Sequence, residues 1–489
     1  MTIEEENQRL REQVAQRDER IQQQESQLCQ QSLLIQQMHE QMAALTQQVK
    51  DLQDRLAKNS HNSSLPPSSD RFARQPKSLR PKSEKPPGGQ PGHPGTTLRF
   101  AETPDEVIEH RVSVCASCQQ DLREVEACVT LRRQVVDMPA PRLHVQEHRA
   151  EHKQCPHCQH LTQAAFPPAV AAPLQYGPRI GAVAVYLTQH QLVPLQRTCE
   201  VLSDLLGVHM SEGTVGELIT RTAAQLASVE QQMKEALSKA AVIHQDETGV
   251  SVAGKRYWEH VTSTASLTHY QVHQSRGHEA LDAIGILPVF KGISIHDGWA
   301  SYFLYDCEHA LCLVHVLREL VFQAEEQGAV WAAELIDLLL SMKQATQDAR
   351  DQGKRWLDPL EVLDWERAFL GVLAEADHLT PRATAPPGTR GRIKQSAARN
   401  LLDRIRTHQQ AVFCFLEDLR VEFDNNLAER DLRMLKVQQK VSGCFRSLAG
   451  AHAFNRIRGY VSTLRKQGLP LLPALQATLG GHPLLPSFE

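Results

Sequence analysis

Two aspartates stand in or directly after short apolar segments that predict buried strands. Asp246 lies in AAVIHQDETGVSV (residues 240–252), and Asp297 directly follows GISIH (residues 292–296). Two carboxylates about 4 Å apart repel each other by about 4 kcal/mol at an effective dielectric constant of about 20. A cation between them would remove this repulsion, and Mg²⁺ prefers oxygen ligands and keeps coordination positions open for phosphate. The pattern therefore predicts a magnesium or manganese site for phosphodiester chemistry.

Such a site commonly uses a third carboxylate, and two glutamates are available. Glu319 lies in HVLREL, and Glu429 lies in DNNLAERDLRMLK. One polar helical face of the second segment carries four residues: Asn425, Asn426, Glu429 and Arg433. The leucines of that segment remain for the core. We therefore prefer Glu429 as the third ligand and keep Glu319 as the alternative. Cations held by three carboxylates can activate a water molecule or a 3'-hydroxyl for attack on a phosphate.

The surrounding segments predict the elements that position these carboxylates. KRYWEHVTS and LTHYQVHQS alternate like strands, a helix follows near His278–Leu287, and HALCLVH predicts a fifth strand that passes into a helix. This order predicts an RNase-H-like α/β core, in which Asp246 on the first strand lies beside Asp297 at the end of the fourth. With Glu429 as the third ligand, residues 322–421 form a helical insertion that includes the basic loop PRATAPPGTRGRIK.

Two CxxC pairs indicate a second kind of chemistry. They are formed by four residues: Cys115, Cys118, Cys155 and Cys158. The chain between them alternates like β-strands, for example in LRRQVVDM and RLHVQEH. Four thiolates on two such turns are typical of a structural Zn²⁺ site. Cys128 and His157 are alternative ligands, and a redox role is disfavoured because a redox CxxC would not normally occur twice.

The N-terminal segment has a seven-residue apolar repeat. The a positions are Val14, Ile21, Leu28, Ile35, Met42, Val49 and Leu56, and the apolar d positions are Leu10, Met38, Leu45 and Leu52. Polar residues occupy the central d positions: Arg17, Gln24 and Gln31. Such a repeat predicts a coiled coil and self-association. The alternative is an amphipathic helix that lies along its own protein.

Basic residues are concentrated in two stretches, although the net charge of the chain is −4. The first holds Arg71, Arg74, Lys77, Arg80, Lys82, Lys85 and Arg99, within a Pro/Gly/Ser-rich segment that predicts a linker. The second runs from Arg430 to Lys466 and includes candidate DNA-binding residues Arg430, Arg433, Lys436 and Arg446. Arg456 and Arg458 in the same stretch either contact phosphates or lie on a solvated basic helix.

Composition narrows the class of protein. Eleven cysteines, an odd number, favour thiols and metal ligands over disulfides. The start MTIEEENQRL is acidic and polar, and no apolar run approaches 18 residues. We therefore expect a soluble cytoplasmic protein without a membrane partner, which is nucleoid-associated when bound to DNA.

Helical patterns resume after Pro178. In LQRTCEVLSDLLGVHMSEGTVGELITRTAAQL, Gly207 separates two helical segments, and Ser211 is a plausible N-cap of the second. This arrangement is typical of a helix-turn-helix that binds DNA, and an ordinary helical hairpin gives the same pattern.

Eight segments result. They are a coiled coil (1–57), a basic linker (58–104), a zinc-binding module (105–168), a helix-turn-helix-like region (169–238), the first part of the core (239–321), the helical insertion (322–421), the second part of the core (422–466) and a C-terminal tail (467–489).

Several motifs together carry a resemblance to a known family. The glutamine-rich zipper, GGQPGHPG, the paired CxxC turns, HQDET, HDGWASY, CLVHVLREL and NNLAERDLR occur in this order. The chain resembles the transposases of the insertion sequence 66 family, which belong to the DDE group. The resemblance implies that Asp246, Asp297 and Glu429 form the metal-binding triad, and that Cys312 and His315 form the CxxH motif of related transposases. It also implies DNA partners, namely terminal inverted repeats and target DNA, with accessory proteins of the same element as possible partners.

Two other functions are compatible with parts of the chain. A zinc-containing coiled-coil regulator would bind DNA without catalysis. A tyrosine recombinase would use Tyr460, in RIRGYVST, as the nucleophile and would form a phosphotyrosine adduct. His244 and His296, next to the aspartates, either support the site or are ordinary strand residues.

Overall fold

A computed structural model describes residues 3–59, 61–63, 98–384 and 393–488 of the chain. Most of the predicted basic linker (58–104) and most of the loop PRATAPPGTRGRIK therefore lie outside the described residues. The chain divides into two compact units. One unit comprises Met1–Lys77, Pro178–Val193 and Glu217–Glu489, and the other comprises Ser78–Gly177 and Pro194–Gly216.

The heptad repeat lies in one long helix, α1 (Ile3–Ala57). All seven of its a positions are each more than half exposed: Val14, Ile21, Leu28, Ile35, Met42, Val49 and Leu56. Near its C-terminal end α1 contacts the rest of its unit, where Asp51 pairs with Lys394 at 3.1 Å and Asp54 accepts a hydrogen bond from Gln327 at 2.9 Å. Among the described residues, most of the apolar stripe is therefore left uncovered. No helix of the described residues is long and apolar enough to span a membrane.

The segment that carries the CxxC pairs contains little regular structure. Strands β1 (His152–Gln154) and β2 (Leu161–Gln163) pair antiparallel around the second CxxC turn. The prediction of further strands at LRRQVVDM and RLHVQEH is wrong, because both segments are unpaired. Their apolar side chains, such as Leu131 and Val145, are about 85 % exposed and have no second sheet to pack against.

Helices follow as predicted after residue 178. They are α2 (Pro178–Val185), which continues into a π-helical turn (Tyr186–His190), α3 (Leu195–Leu206), α4 (Glu212–Gln225) and α5 (Ala227–Ser238). Gly207 ends α3 with a φ angle of +65°, a conformation that glycine adopts without strain. Ser211 is the N-cap of α4, because its Oγ accepts a hydrogen bond from the backbone N–H of Thr214 at 3.1 Å.

A five-stranded mixed sheet forms the centre of the larger unit. Its strands are β3 (Val242–Val252), β4 (Lys255–Ser263), β5 (Thr268–His273), β6 (Ile293–His296) and β7 (Glu308–Leu311), in the order β5-β4-β3-β6-β7. The first three strands are antiparallel, whereas β6 and β7 run parallel to β3. Helix α6 (His278–Ile284) lies between β5 and β6 in the chain. The number, order and type of these elements agree with the sequence prediction.

Both faces of the sheet are covered. The remaining helices of the core are α7 (Leu313–Gln327), α8 (Val330–Asp351), α9 (Pro359–Leu379), α10 (Ala397–Thr407), α11 (Gln409–Glu417), α12 (Asn426–Ser442), α13 (Leu448–Lys466) and α14 (Leu471–Leu479). One face, which includes Val261 and Tyr270, packs against Ala428 and Leu432 of α12. The opposite face, which includes Ile243, packs against α5 and α6. Alternation along each strand therefore assigns every other side chain to the face that α12 covers.

Helices α8 to α11 confirm that the chain between β7 and α12 is mainly helical. The predicted extent of the fifth strand is wrong at its C-terminal end, because β7 ends at Leu311 and Cys312 is the N-cap of α7. His315 consequently lies in the first turn of α7, where its side chain can lie next to that of Cys312.

Candidate active site

Asp246 and Asp297 lie at matching positions of neighbouring parallel strands. His244 of β3 pairs with Ile295 of β6, and each aspartate follows its paired residue by two positions. Within β3, alternation assigns the side chain of Asp246 to the face covered by α12, whereas Asp297 directly follows the last residue of β6. The charge of Asp297 contributes to the raised pKa of Asp246, which indicates that the two carboxylates are close. The structure thus brings together two residues that are 51 positions apart in the sequence.

Asn425, directly before α12, attaches this helix to the sheet. The residue is 1 % exposed, and its Nδ2 donates a hydrogen bond to the carbonyl of Gln245 at 2.7 Å. Its Oδ1 lies 3.0 Å from Nδ1 of His244, and its backbone N–H donates to Sγ of Cys312 at 3.2 Å. The side chain of Asn425 therefore joins the start of α12 to β3, and its backbone N–H joins it to the β7–α7 junction. The adjacent Asn426 is exposed, so the two asparagines have different surroundings.

Glu429 lies in the first turn of α12, and its carboxylate interacts electrostatically with Asp246. Its ligand oxygen also lies within 4.8 Å of ligand atoms of Cys312 and His315. The alternative third carboxylate, Glu319, instead pairs with Arg404 at 2.7 Å. Of the two sequence candidates, Glu429 is the one linked to Asp246.

Negative charge accumulates around Asp246. Burial is the main cause that raises the pKa of Asp246 well above its usual value, followed by the charges of Glu247 and Asp297 and, less strongly, of Glu429. A backbone hydrogen bond from Glu247 to Oδ1, at 2.8 Å, opposes the shift. Asp297 accepts a hydrogen bond from the backbone N–H of Trp299 at 2.9 Å. The carboxylates are thus crowded enough to disfavour full ionisation in the absence of a cation.

Sequence reasoning missed the group that balances part of this charge. Arg276, in the loop after β5, lies 2.6 Å from Glu247 and 3.8 Å from Asp297. Its guanidinium group also stacks on the rings of Trp258 and Trp299, at 5.0 and 4.0 Å from their centroids. No local motif marks Arg276, because its partners come from three other segments. The apolar strand with two adjacent carboxylates was the only available signal that a cationic side chain was needed.

Glu247 is a buried part of this arrangement rather than a free ligand. Its side chain is 1 % exposed, and it accepts hydrogen bonds from Arg276 and from the hydroxyl of Tyr302. Burial and the charge of Asp297 raise the pKa of Glu247, while Tyr302 and Arg276 lower it. Glu247 therefore holds Arg276 at the edge of the site.

The donor chemistry of the three carboxylates suits a divalent cation, although among the described residues their ligand oxygens do not all lie within 4.8 Å of one another. Asp246, Asp297 and Glu429 offer only hard oxygen atoms, and Arg276 is engaged with Glu247. Burial is the main cause of the raised pKa of Asp246, and the charges of Glu247, Asp297 and Glu429 raise it further. Such an oxygen-rich, electronegative site favours Mg²⁺ or Mn²⁺ over softer metals.

The two CxxC turns have the same local form. The N–H of Gln119 donates to the carbonyl of Cys115 at 3.0 Å, and that of Gln159 donates to Cys155 at 2.9 Å. Both glutamines have positive φ angles, 62° and 59°. Matching turns at both pairs are what two zinc knuckles require.

The local environment also favours thiolates in these turns. Backbone hydrogen bonds from Cys118 lower the pKa of Cys115, and those from Cys158 lower the pKa of Cys155. Among the described residues, however, no three of the four predicted sulfur ligands lie within 4.8 Å of one another. Each half of the site therefore suits zinc, but the predicted four-thiolate tetrahedron is not assembled. The extended chain between the turns has no packing that would hold them together.

The six basic residues that the sequence indicates as candidates in the C-terminal stretch divide into two groups. Four are exposed, as DNA contact requires: Arg430, Arg433, Lys436 and Arg446. The other two are structural. Arg456 pairs with Glu230 at 2.6 Å, and Arg458 is buried and bonds to His190 at 3.1 Å. The interpretation of Arg456 and Arg458 as phosphate ligands or solvated residues is therefore wrong.

Three further sequence candidates lie in the interior. Tyr460 is 1 % exposed, and its hydroxyl donates a hydrogen bond to the carbonyl of Leu484 at 2.8 Å, which leaves it inaccessible to a phosphodiester. His244 supports the site through Asn425. His296 is buried on the opposite face, 3.1 Å from His309, and is a packed strand residue.

Comparisons with known proteins relate parts of this chain to known families. The family described as "Family of unknown function (DUF6444)" matches residues 16–99. The chain is also 21 % identical over 396 residues to "Uncharacterized protein y4jD" of Sinorhizobium fredii, a similarity that covers 75 % of this chain and 74 % of that protein. The model of the family described as "Transposase IS66 family" matches residues 173–453, a range that contains the whole sheet and α12. The chain therefore belongs to the IS66 family of transposases.

Proposed function

We propose that this protein is a DNA transposase that hydrolyses phosphodiester bonds at the ends of its element and then joins the freed 3'-hydroxyls to target DNA. The reaction is of the DDE type, with Asp246, Asp297 and Glu429 as the catalytic triad. Membership of a transposase family supports DNA as the substrate. The observation that carries the proposal is the adjacency of Asp246 and Asp297 on parallel strands, with Glu429 held nearby on α12.

We assign the core to the RNase-H-like class. The support is a sheet of order β5-β4-β3-β6-β7, with three antiparallel strands and two strands parallel to the first. In this topology the first half of β3 lies next to β6, which supports Asp246, within β3, being beside Asp297, directly after the end of β6. Helix α12 covers the same face and contributes Glu429.

Each residue has a defined task in this reaction. Mg²⁺ or Mn²⁺ held by the three carboxylates would activate a water molecule or the 3'-hydroxyl of DNA and would stabilise the leaving oxygen. Asp246 and Asp297 contribute ligands from rigid strand positions. Glu429 contributes a ligand from a helix that Asn425 fixes to β3. Arg276 neutralises part of the surrounding charge and lies 3.8 Å from Asp297, where it restricts the orientation of that carboxylate.

DNA contacts extend beyond the carboxylates. Arg430, Arg433, Lys436 and Arg446 are exposed on or just after α12 and are placed to neutralise phosphates. Trp299, which follows Asp297 by two residues, is 40 % exposed and has Arg276 stacked at 4.0 Å from its ring centroid. An exposed aromatic ring next to the triad offers a stacking surface for a DNA base. Terminal inverted repeats and target DNA are the proposed partners.

The N-terminal elements serve assembly. The exposed apolar stripe of α1 forms a coiled coil with a second copy, which brings two element ends into one complex. The CxxC turns bind one structural Zn²⁺, and the extended segment between them orders when the two turns close around the ion. We expect the zinc-bound module and the α3–α4 helices to contact the terminal repeats.

The decisive test is cleavage and strand transfer by the purified full-length protein. The substrate is a duplex that carries a terminal inverted repeat of the element that encodes this chain. We expect activity with Mg²⁺ or Mn²⁺ and none with EDTA. Asp246→Asn should reduce cleavage at least 100-fold while binding of the duplex is retained, because only a metal ligand is changed. Asp306→Asn, at an exposed aspartate, should leave cleavage unchanged.

Two outcomes would contradict the proposal. DNA binding without metal-dependent cleavage in the wild type would favour a zinc-containing coiled-coil regulator. A covalent protein–DNA adduct that forms in EDTA would favour a tyrosine recombinase, although the burial of Tyr460 argues against that function.

A further inference from the structure

A second set of metal-ligating side chains lies beside the triad. Cys312, His315 and Glu429 each place one ligand atom so that the three atoms lie within 4.8 Å of one another. Cys312 is the N-cap of α7, His315 is in the first turn of that helix, and Glu429 is in the first turn of α12. The three therefore come from two helix starts that Asn425 holds together.

We propose that these three residues bind a zinc-class cation, distinct from the Mg²⁺ or Mn²⁺ of the triad, with its fourth coordination position open. A thiolate and an imidazole are soft or borderline ligands that favour Zn²⁺ and disfavour Mg²⁺. Three protein ligands with an open fourth position are a common arrangement for zinc outside closed structural sites. Ligand atoms on one tetrahedral Zn²⁺ lie about 3.5 Å apart, so from a separation of up to 4.8 Å each pair of ligand atoms needs to approach by no more than about 1.3 Å.

Two independent observations support a bound metal ion at this place. The backbone N–H of Asn425 donates to Sγ of Cys312 at 3.2 Å, a hydrogen bond that stabilises a metal-bound thiolate. Nδ1 of His315 is buried and has no hydrogen-bond partner among the described residues. A buried ring nitrogen without a partner is costly, and coordination of the histidine would provide a reason for its placement.

The cation would link the start of α7 to the start of α12. Glu429 has two oxygen atoms, one of which can bind the zinc-class ion while the other stays available to the triad. Binding would fix the orientation of Glu429 relative to α7. This cation site follows from Cys312, His315 and Glu429 alone, and it stands whether or not the protein cleaves DNA.

The test counts metal ions on the full-length protein in the absence of DNA. Protein is equilibrated with Zn²⁺, freed of unbound ions and analysed for zinc per chain. We expect Cys312→Ser and His315→Gln each to bind one ion fewer than the wild type. Glu429→Gln should weaken binding of that ion at least tenfold. Cys414→Ser removes another buried thiol and is the matched control, which should keep the wild-type zinc content.

A second measurement distinguishes this ion from those on the CxxC turns. With Co²⁺ in place of Zn²⁺, the thiolate-to-cobalt absorption band should decrease in Cys312→Ser by the share of one thiolate, and circular dichroism should confirm that the variant is folded. Equal metal content in the wild type, Cys312→Ser and His315→Gln would overturn the proposal. An equal loss in Cys414→Ser would also overturn it, because the loss would then reflect core damage. Neither result bears on cleavage in Mg²⁺, which is measured separately.

Discussion

Oδ1 of Asn425 lies 3.0 Å from Nδ1 of His244, although 181 residues separate them. Because Nδ2 of Asn425 donates to the carbonyl of Gln245, Oδ1 is the acceptor and His244 carries its proton on Nδ1. Burial lowers the pKa of His244, which keeps the ring neutral and suited to this bond. Asn425 thereby sets the distance between the strand of Asp246 and the helix of Glu429.

Replacement of Asn425 should damage both stability and cleavage. In Asn425→Ala the carbonyl of Gln245 and the ring of His244 lose their buried partner, which should cost about 2 kcal/mol of unfolding free energy. Displacement of α12 should also reduce cleavage at least tenfold. Denaturant unfolding and the cleavage assay measure the two effects. Asn426→Ala, at the exposed neighbour, is the control, and an equal effect at both positions would contradict a specific role for Asn425.

Arg276 should be needed mainly for the buried carboxylate next to the triad. In Arg276→Gln, Glu247 loses its cationic partner inside the protein, and we expect a loss of about 2 kcal/mol in unfolding free energy. The pKa of Glu247 should rise further, because Arg276 is one of the groups that lower it. Thermal unfolding at neutral pH measures the loss. Arg256→Gln, which removes a guanidinium stacked only on Trp258, should have a small effect.

Glu259 should make the protein less stable as pH rises. It is fully buried on β4, and burial raises its pKa well above the usual value, while Asn455 opposes the shift. The folded chain then keeps a proton that the unfolded chain releases above about pH 4.5, so stability falls with pH by up to about 1.4 kcal/mol per unit in that range.

Glu259→Gln should therefore raise the melting temperature at pH 7, and the gain should shrink towards pH 4. Melting curves across this range, compared with those of Glu375→Gln at an exposed position of α9, give the measurement. A gain that does not depend on pH would show that Glu259 is not protonated in the folded protein.

The apolar stripe of α1 should control self-association. Leu28→Asp with Ile35→Asp places charges at two exposed a positions of every copy. Burial of each side chain contributes about 1.5 kcal/mol or more, so a two-chain coiled coil should weaken by roughly four orders of magnitude in Kd. Sedimentation should show a dimer or larger assembly for the wild type and a monomer for the variant. Gln30→Asp with Gln37→Asp adds the same charge away from the stripe and should not dissociate the assembly.

Local structure followed from the sequence because its causes lie within a few residues. The heptad repeat predicted α1, strand alternation and apolar runs predicted the five strands of the central sheet, and Ser211 predicted the start of α4. The prediction of strands between the CxxC turns was wrong, because a strand depends on more than its own residues. Alternation describes a strand only where a partner strand exists, and none is present there.

The sequence by itself determined the residue types of the site: two aspartates associated with strand ends, a choice of two glutamates, and thiols at two CxxC turns. The tertiary structure decided which groups meet. Glu429 lies near Asp246, whereas Glu319 pairs with Arg404. Arg276 pairs with Glu247. Tyr460 and Arg458 are buried in the interior. The physical reason is the sequence separation over which each kind of interaction acts. Side-chain periodicity and capping act within one or two turns, whereas a contact between residues more than a hundred positions apart depends on how the intervening chain packs and returns.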